Sequence, residues 1–314
     1  MLISVIIPAY NAARTIGAAL ESVLTQTRHA DEVLVMDDGS TDQTTEILES
    51  YKPRVRVLRQ ENKGVAAARN VLCAQASGDL IAFLDADDIW HPDYLAVQAS
   101  CFTEFPEALA FFTGQLIFNG YTSFTWDGRE TPDTGTREMM GPVDFFTGLC
   151  MTGKYGTAFC CVPKTVIAHA GPLPFSSELA SAEDFYFFAS LCLLNRGVIS
   201  TPAPLVAYRR TPGSLSANRI GIFAEVIEAF RLLENRFREQ ASPALLKEFN
   251  LRFASARRTY SKCLMGAGRV AHAREQLKRA IKNSRNPESL AKSLAMLCLS
   301  YMPSQVRPGW LVQT

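Results

Sequence analysis

Three aspartates stand close together in the segment FLDADDIW, residues 83–90. In an extended segment, residues two apart point to the same side, so Asp85 and Asp87 can face one ion or ligand while Asp88 points elsewhere. Mg²⁺ and Mn²⁺ are usually held by one or two carboxylates together with substrate phosphates. We therefore interpret Asp85 and Asp87 as a cation site. One acid is enough to cap the helix that follows Pro92, and we assign that structural role to Asp88.

A second acidic pair opens the segment DDGSTD, residues 37–42. Ser40 and Gln43 have the spacing of a capping box for the following helix, and Gly39 suits a tight turn. This structural account leaves the two aspartates without a purpose. A carboxylate at such a turn can accept hydrogen bonds from a nucleobase N–H or from ribose hydroxyls. A structural turn and a ligand site are both open at this point.

The elements that would position these clusters are visible in the apolar pattern. Short runs rich in Val and Ile alternate with segments of helical period, which predicts repeated β-α units. The runs are apolar at nearly every residue, as is typical of strands buried on both faces in a mainly parallel sheet flanked by helices. The predicted strands span 3–7, 33–36, 55–58 and 80–84, and the predicted helices span about 14–25, 42–50, 64–76 and 92–103.

Polar segments follow three of these strands: PAYN at 8–11, DDGS at 37–40 and DADD at 85–88. Parallel strands end at one edge of their sheet, and the ligands of such sheets bind beyond that edge. Turn chemistry alone would place polar residues equally at both ends of the strands. The convergence of three clusters therefore predicts a ligand site at the carboxyl edge.

The rest of the chain is patterned differently. Strands are predicted at 108–113 and 157–162, and we interpret the stretch 119–137, rich in Gly, Thr and Asp, as a mobile loop or hairpin. From residue 219 onward the chain has helical period. The helical pattern is broken at 242–243, 266–268 and 286–287. These patterns predict an α/β domain over 1–218 and a helical region over 219–314.

Composition limits the function classes. The 314 residues are 47% hydrophobic and 20% charged, which is typical of a globular chain with one large domain and a smaller unit. Eight cysteines without a CxxC pair and only four histidines exclude zinc-ribbon and zinc-finger spacing and favour buried thiols in a reducing cytoplasm. The N-terminal apolar run ends at Pro8, too soon for a secretory signal, and no run reaches the ~18 apolar residues of a membrane span. We expect a cytoplasmic protein, soluble or peripheral at the inner face of the membrane.

Charge is unevenly distributed along the chain. Residues 219–314 hold 17 Lys and Arg against 7 Asp and Glu, whereas residues 1–218 hold 15 against 24. The acidic part suits metal ions, and the basic part could contact an anionic membrane or nucleic acid. The segment SLAKSLAMLCLSYM, residues 289–302, follows a basic stretch, and it can lie in a membrane interface or pack as an amphipathic helix.

Four segments, SVIIPAYN, VMDDGSTD, ENKGVAAARN and FLDADDIW, occur in this order over about the first 90 residues. Together they resemble the family 2 glycosyltransferases with the GT-A fold, a Rossmann-like α/β architecture. The resemblance implies a nucleoside-diphosphate sugar as donor, a UDP-sugar first of all, with Mg²⁺ or Mn²⁺ as cofactor and inversion at the anomeric carbon. It also implies a nucleotide-sugar half at about 1–104, an acceptor half at about 105–218, and a glycan or lipid-linked glycan as acceptor.

Carried onto this sequence, the resemblance implies a set of residues near the nucleotide sugar. They are Pro8, Tyr10, Asn11, Asp38, Lys63, Arg69 and Asp85. Within this set, Asp38 would bind the base or the ribose, and Asp85 would lie toward the ribose and the metal. Asp87 would ligate the metal that bridges the diphosphate.

Inverting transfer requires a general base that takes the proton of the acceptor hydroxyl on the face opposite the leaving diphosphate. The family places this base in a Glu-Asp pair at the start of a helix. Here the segment SAEDF, residues 181–185, precedes an apolar run, and Asp184 matches the base. Ser181 and Asp184 also have capping-box spacing, and both roles can hold at once.

The leaving diphosphate needs positive charge beyond the metal. The segment YRRTPGS, residues 208–214, resembles the family's Tyr-Arg-x-His-x-x-Ser segment, with Thr211 where a histidine often stands. Arg209 and Arg210 would then face the phosphates. Two solvated surface arginines are the alternative interpretation.

These observations favour a metal-dependent inverting glycosyltransferase in cell-surface polysaccharide or glycolipid synthesis. A non-catalytic nucleotide-sugar-binding or assembly protein on the same fold is the alternative, and Asp184 argues against it. Sugar nucleotidyltransferases and dehydrogenases need a glycine-rich turn after the first strand, and PAYNAARTI contains no glycine. Membrane contact through the basic helices is left open, and a nucleic-acid partner is not expected.

Overall fold

The computed structural model describes residues 1–126, 135–152, 155–211, 218–284, 286–302 and 308. The chain divides into two compact units, Met1–Pro212 and Gly213–Thr314. The domain boundary predicted at 218 lies six residues from this division.

The first unit alternates strands and helices along most of its length. Its strands and longer helices are, in chain order, β1 (Ile3–Ala9), α1 (Ile16–Leu24), β2 (Glu32–Asp37), α2 (Thr44–Ser50), β3 (Arg56–Arg59), α3 (Val65–Gln75), β4 (Leu80–Phe83), β5 (Ile89–Trp90), α4 (Tyr94–Glu104), β6 (Phe111–Asn119), β7 (Glu138–Met140), α5 (Pro142–Met151), β8 (Cys160–Pro163), α6 (Lys164–His169), α7 (Glu183–Leu191) and β9 (Val198–Arg210).

One sheet runs through this unit in the order β3-β2-β1-β4-β8-β6-β9-β5, and β7 also pairs with β9. The pairs β3-β2, β2-β1 and β1-β4 are parallel. Beyond β4 the sheet is mixed, because β8 runs antiparallel to both β4 and β6. The predicted α/β architecture is confirmed, and the four strands predicted from the apolar runs form one continuous parallel part of the sheet.

Burial explains why these strands read as continuous apolar runs. Every residue of β4 is buried, and in β1 only Pro8 is partly exposed. Helix α3 packs against β1 and β2, and α4 packs against β6 and β9. Strands covered in this way have no face that can be polar.

The site lies where the strands of one direction end. β6 runs in the direction of β4, since both are antiparallel to β8, and β9 is parallel to β6. Six strands therefore have their carboxyl ends at one edge of the sheet. The last residues of these strands are Ala9, Asp37, Arg59, Phe83, Asn119 and Arg210.

Two predictions in the less regular region are adjusted by the structure. The strand predicted at 108–113 begins at Phe111 and continues to Asn119. Of the strand predicted at 157–162, Thr157–Phe159 form a 3₁₀ turn and only the following residues pair in the sheet. Within the stretch 119–137, residues 127–134 lie outside the described part of the chain.

The second unit is helical. Its helices are α8 (Arg219–Gln240), α9 (Pro243–Gly266), α10 (Val270–Asn283) and α11 (Pro287–Leu299). The three breaks predicted from the sequence coincide with the turns between them. Helices α8 and α9 share an aromatic core, in which Phe230 stacks on Phe253 at 4.8 Å and Phe237 stacks on Phe249 at 4.2 Å between ring centroids. Within the described ranges, no helix has both the length and the apolar character to cross a bilayer.

Candidate active site

The turns after β1 and β2 are joined by direct hydrogen bonds. Asn11 adopts the left-handed conformation, with φ of 49°, and its Oδ1 accepts a hydrogen bond of 2.8 Å from the backbone N–H of Thr41. The N–H of Asn11 donates to Oγ of Ser40 at 3.0 Å. Ser40 therefore serves the neighbouring turn, and the capping box predicted for Ser40 and Gln43 is wrong. Asp42 instead accepts from the N–H at the start of α2, at 3.0 Å.

Asp37 is a structural residue of the second turn. Its buried carboxylate accepts from the N–H of Ser40 at 2.9 Å and from Oγ1 of Thr45 at 2.7 Å. Burial alone would raise its pKa, but these hydrogen bonds lower the pKa below the ordinary aspartate value. The carboxylate thus ties β2 to the first turn of α2 and is not turned to a ligand.

Asp38 fixes the loop that precedes α3. Its Oδ1 accepts from Nε2 of Gln60 at 2.7 Å and from the N–H of Lys63 at 2.9 Å, and its Oδ2 accepts from the N–H of Gly64 at 2.9 Å. The side chain of Lys63 is exposed above this loop. That Lys63 lies near the nucleotide, and that Asp38 binds the base or the ribose, remain predictions.

Gly39 allows the loop before α3 to lie close against the turn after β2. Its φ is 76°, and a Cβ placed on it would lie 2.7 Å from the backbone nitrogen of Asn62. Both facts require glycine. A surface hollow of about 560 Å³ opens here, and its lining is Gly39, Arg59, Gln60, Glu61 and Asn62.

Arg69 joins two acidic segments that are far apart in sequence. It projects from α3 with a side chain only 4% exposed, and its Nη2 donates to Oδ1 of Asp85 at 2.6 Å. Its Nη1 forms a short ion pair with Glu183 at the start of α7. Burial alone would lower the pKa of Arg69, but the two carboxylates outweigh it and raise the pKa. The predicted contact of Arg69 with the nucleotide remains a prediction; its guanidinium is engaged by protein carboxylates.

Asp87 and Asp85 lie at the end of β4, as the sequence predicts, and both are partly exposed. Burial, followed by the charge of Asp85, raises the pKa of Asp87 to about 6. A carboxylate with a raised pKa beside a second carboxylate is stabilised by an added cation. Across the described residues, no group of three or more His, Cys, Asp or Glu side chains is arranged around one point. Phosphates or water would therefore have to complete the coordination of any ion here.

Asp88 has a structural role that differs from the predicted one. Its Oδ1 accepts from the backbone N–H of Arg209 at 2.8 Å, and the carboxyl is fully buried. Helix α4 begins after Asp93, with no hydrogen bond from a capping side chain. The prediction that Asp88 caps this helix is thus wrong, because Asp88 joins the acidic segment to β9.

Arg209 is buried behind the acidic segment. Its Nε donates to the carbonyl of Asp87 at 2.8 Å, and its Nη1 donates to the carbonyls of Gly120 and Thr122 at 3.0 and 3.1 Å. The guanidinium therefore holds the loop after β6 against the acidic segment. Arg210 is exposed at the same edge. A phosphate contact by either arginine stays a prediction.

Asp184 stands at the start of α7, where its Oδ1 accepts a hydrogen bond of 2.6 Å from the N–H of Phe185. The N-cap residue of α7 is Ala182, whose side chain makes no capping hydrogen bond, so the capping box predicted for Ser181 and Asp184 is absent. Burial, then the charge of Glu183, raises the pKa of Asp184 to about 7, although Arg69 acts in the opposite direction. A carboxylate with a pKa near neutrality is suited to general-base chemistry.

Two residues that sequence reasoning missed hold the segment before α7. Nδ2 of Asn70 donates to the carbonyl of Phe175 at 2.7 Å, and the N–H of Phe175 donates back to Oδ1 of Asn70 at 3.0 Å. Asn70 directly follows Arg69, so one turn of α3 contacts both ends of the segment that leads to Asp184. The only sequence signal was the position of Asn70 in the ENKGVAAARN segment.

The predicted residues fall into two groups. The structure brings Arg69, Asp85, Glu183 and Asp184 together by direct contact or by charge. The remaining predicted donor residues lie at or just after the ends of β1 and β2 or precede α3: Pro8 is partly exposed, Asp38 is buried, and Tyr10, Asn11 and Lys63 are exposed.

The sequence of this chain is similar to those of known proteins. The model of the family described as "Glycosyl transferase family 2" matches residues 4–161, half of the chain. The chain is 31% identical over 224 residues to WfgD of Escherichia coli, named UDP-Glc:alpha-D-GlcNAc-diphosphoundecaprenol beta-1,3-glucosyltransferase. That similarity covers 69% of this chain and 81% of WfgD.

Solved structures resemble the fold along nearly the whole chain. TarS 1-349 of S. aureus, in complex with UDP-GlcNAc, has a TM-score of 0.66 at 19% identity and covers 96% of this chain and 91% of its own. The mannosyltransferase PcManGT of Pyrobaculum calidifontis, in complex with GDP-Man and Mn²⁺, has a TM-score of 0.60 at 19% identity and covers 96% and 81%. At such identities the likeness concerns the fold, and it agrees with the α/β architecture followed by helices. The family match and the similarity to WfgD confirm the predicted family: the chain is a glycosyltransferase and belongs to glycosyl transferase family 2.

Proposed function

We propose that this enzyme transfers a sugar from a UDP-sugar to a hydroxyl of a lipid-linked glycan, with inversion at the anomeric carbon. The observation that carries the proposal is the Arg69 bridge, which holds the segment of the candidate base against the acidic segment at the end of β4. The donor class is supported by the similarity to WfgD, named for UDP-Glc, and to TarS in complex with UDP-GlcNAc. The acceptor class follows from the name of WfgD alone.

Asp184 is proposed as the general base. Its raised pKa of about 7 means that a large fraction is ionised at neutral pH and yet binds a proton well. It takes the proton of the acceptor hydroxyl while that oxygen attacks the anomeric carbon. The carbon–oxygen bond to the diphosphate breaks in the same displacement, and the nucleoside diphosphate leaves with the bonding electron pair.

Asp87 and Asp85 fit a divalent cation. Both present hard oxygen ligands, and burial together with the charge of Asp85 raises the pKa of Asp87, which a bound cation would counteract. When bound, Mg²⁺ or Mn²⁺ would stabilise the charge that develops on the leaving diphosphate. Oδ1 of Asp85 also accepts from Arg69, so Asp87 is the better placed of the two to be the main protein ligand.

Arg209 and Arg210, at the end of β9, are proposed to supply positive charge to the diphosphate. Arg209 would act through its charge, since its Nε and Nη1 already donate to backbone carbonyls. Arg210 is exposed at the same edge and is free to approach a phosphate directly. Asp38, Lys63 and the turn of Tyr10 and Asn11 are proposed to line the nucleotide.

The proposal is tested by one assay on the wild-type chain and the Asp184→Asn variant. A panel of UDP-sugars and GDP-sugars is screened for thermal stabilisation with and without Mn²⁺, because a ligand that binds the native state raises Tm. The stabilising donor is then incubated with an isoprenyl-diphosphate-linked N-acetylhexosamine. We expect transfer by the wild type, the opposite anomeric configuration in the product by NMR, and a rate lower by at least about 10²-fold in the variant with donor binding retained. Retention of configuration, or near-wild-type transfer by Asp184→Asn, would contradict the mechanism.

A further inference from the structure

Helix α11 turns polar residues inward. Ser289, Ser293, Met296 and Ser300 follow one another at helical spacing, and each is at most 5% exposed. Arginines of the neighbouring helices bind the serines of this inner face. Arg258 donates to Oγ of Ser289 at 2.9 Å and to Oγ of Ser293 at 3.1 Å. These hydrogen bonds therefore hold the serines on the inner face of α11.

The outer face of α11 is apolar. Four exposed residues each stand two positions after one of the inner residues. They are Ala291, Ala295, Cys298 and Met302. Two residues correspond to about 200° around a helix, so Ala291, Ala295 and Cys298 lie opposite the serines, and Met302 follows just beyond the end of the helix. Leu294 and Tyr301 flank it and are 44% and 59% exposed. We call these six residues the outer stripe.

The exposed side of α11 is thus largely apolar, although Met296, Leu297 and Leu299 pack in the core of the helical unit. A helix on a water-facing surface normally turns its apolar side to the core and its charged side outward. Residues 293–302 contain no charged side chain at all. The two charged residues of α11, Glu288 and Lys292, pair with each other at its first turns. A contiguous apolar face of this kind is typical of a surface that contacts another apolar phase.

A row of basic side chains runs beside the outer stripe. Arg274, Lys278 and Lys282 are spaced four residues apart on α10, so they share one face of that helix. The guanidinium of Arg274 lies 3.9 Å from the centre of the Tyr301 ring, which places the start of the row next to the stripe. Lys278 and Lys282 are exposed. We call these three residues the basic row.

We propose that the outer stripe and the basic row together bind the surface of an anionic lipid bilayer. The apolar side chains enter the boundary between headgroups and acyl chains, and the basic row meets the lipid phosphates. Charge complementarity selects this occupant over a second copy of the chain, which would bring an identical basic row and repel the first. The surface lies within the helical unit and does not depend on the proposed transfer chemistry.

The test measures binding of the full chain to vesicles by co-sedimentation. Vesicles of phosphatidylcholine alone are compared with vesicles that contain phosphatidylglycerol. We expect binding to the anionic vesicles that weakens as salt is raised. A basic residue near such a surface contributes about 1 kcal/mol, or about fivefold in affinity, so Lys278→Gln with Lys282→Gln should weaken binding about 25-fold.

Two further variants separate the parts of the surface. Leu294→Gln with Met302→Gln removes apolar contacts and should weaken binding at least tenfold at every salt concentration. The matched control, Arg219→Gln with Lys247→Gln, removes the same charge from exposed positions on α8 and α9 and should bind like the wild type. Melting curves followed by circular dichroism confirm that each variant is folded.

Several outcomes would overturn the proposal. Equal binding to neutral and anionic vesicles, or equal weakening by the control pair, would remove the role of the basic row. Unchanged vesicle binding by the variant with Leu294→Gln and Met302→Gln would contradict the role of the outer stripe. That role would also be contradicted if the deletion of residues 303–314 abolished binding and no substitution in the stripe weakened it. Dimerisation that Leu294→Gln abolishes would identify a second copy as the occupant. Transfer to a water-soluble acceptor should be unaffected in every variant, which separates this proposal from that of the active site.

Discussion

The guanidinium of Arg69 donates a hydrogen bond of 2.6 Å to the carboxylate of Asp85 while its side chain is only 4% exposed. The opposite side of the same guanidinium is paired with Glu183, next to Asp184. One buried cation therefore balances carboxylates of both the acidic segment and the segment of the candidate base. Any change in charge at one of these segments alters the electrostatic potential at the other, and the first prediction follows from this link.

The charges around Asp184 should shift its titration in opposite directions. Glu183 raises the pKa of Asp184 and Arg69 lowers it. A general base acts when ionised, so the rate falls below its pKa. We expect Glu183→Gln to move the acidic limb of the pH profile of kcat/KM to lower pH, and Arg69→Gln to move it to higher pH, each by about one unit. Glu178→Gln removes an exposed charge nearby and should leave the limb in place. Shifts in the same direction for both variants would contradict this account.

Asp184 should also reduce stability at neutral pH. Its pKa is about 7 in the folded chain against an ordinary value of 3.8, so the folded state holds the proton more tightly than the unfolded state. The associated stability is present below pH 4 and is lost as the pH rises through about 7. We expect Asp184→Asn to have a Tm advantage over wild type that grows between pH 4 and pH 7 and corresponds to about 1–3 kcal/mol at pH 8. Exposed Glu107→Gln is the control, and a constant difference across this range would exclude the effect.

Neighbouring aspartates at the end of β4 should respond differently to substitution. Asp87→Ala removes a proposed cation ligand and should weaken the Mn²⁺-dependent binding of a nucleoside diphosphate at least tenfold, measured by calorimetry. In Asp88→Asn the amide oxygen can still accept from the N–H of Arg209, as Oδ1 of Asp88 does at 2.8 Å. Binding by that variant should stay within about threefold of wild type, since the substitution removes no ligand. Equal losses in the two variants would point to structural damage and not to a cation site.

Asp38 should determine the order of the loop before α3. Asp38→Ala leaves the N–H of Lys63 without its acceptor and leaves the N–H of Gly64 only Oδ1 of Asn62 at 3.2 Å, and it should cost about 2 kcal/mol. We expect a drop in Tm of about 4–8 °C and faster hydrogen exchange at these two amides. Gln60→Ala removes one of the three hydrogen bonds and should cost less, about 1 kcal/mol. Unchanged exchange at both amides in Asp38→Ala would refute the role given to this carboxylate.

The sheet could be predicted from sequence because its determinants are local. The runs that became β1, β2 and β4 are apolar on nearly every residue, and only strands covered on both faces require this. The placement of Asp38, Asp87 and Asp85 at one edge follows from the same pattern, since parallel strands share a carboxyl edge. The mixed order beyond β4 could not be predicted, because it depends on pairings between β8, β6 and β9 that leave no mark of direction in the sequence.

The partners of the site residues were beyond prediction for a similar reason. The spacing indicated that Asp88 and Asp87 have different roles. It did not indicate that Oδ1 of Asp88 would accept a hydrogen bond from the N–H of Arg209, 121 positions away. The pairing of Arg69 with Glu183 spans 114 positions. Periodicity shows which residues share a face of one element, and it does not show which distant element that face meets. The apolar period of α11 likewise did not show which apolar residues of this helix would be buried and which would be exposed.

β9 is the last strand of the first unit in sequence, yet it lies inside the sheet, between β6 and β5. During synthesis, the strands up to β4 emerge long before it, and they can pair among themselves. The buried carboxyl of Asp88 can accept its hydrogen bond from the N–H of Arg209 only after Arg209 has been translated and β9 has joined the sheet. The acidic segment is thus completed last, so that a nascent chain acquires the final geometry of this segment only when the whole unit has left the ribosome.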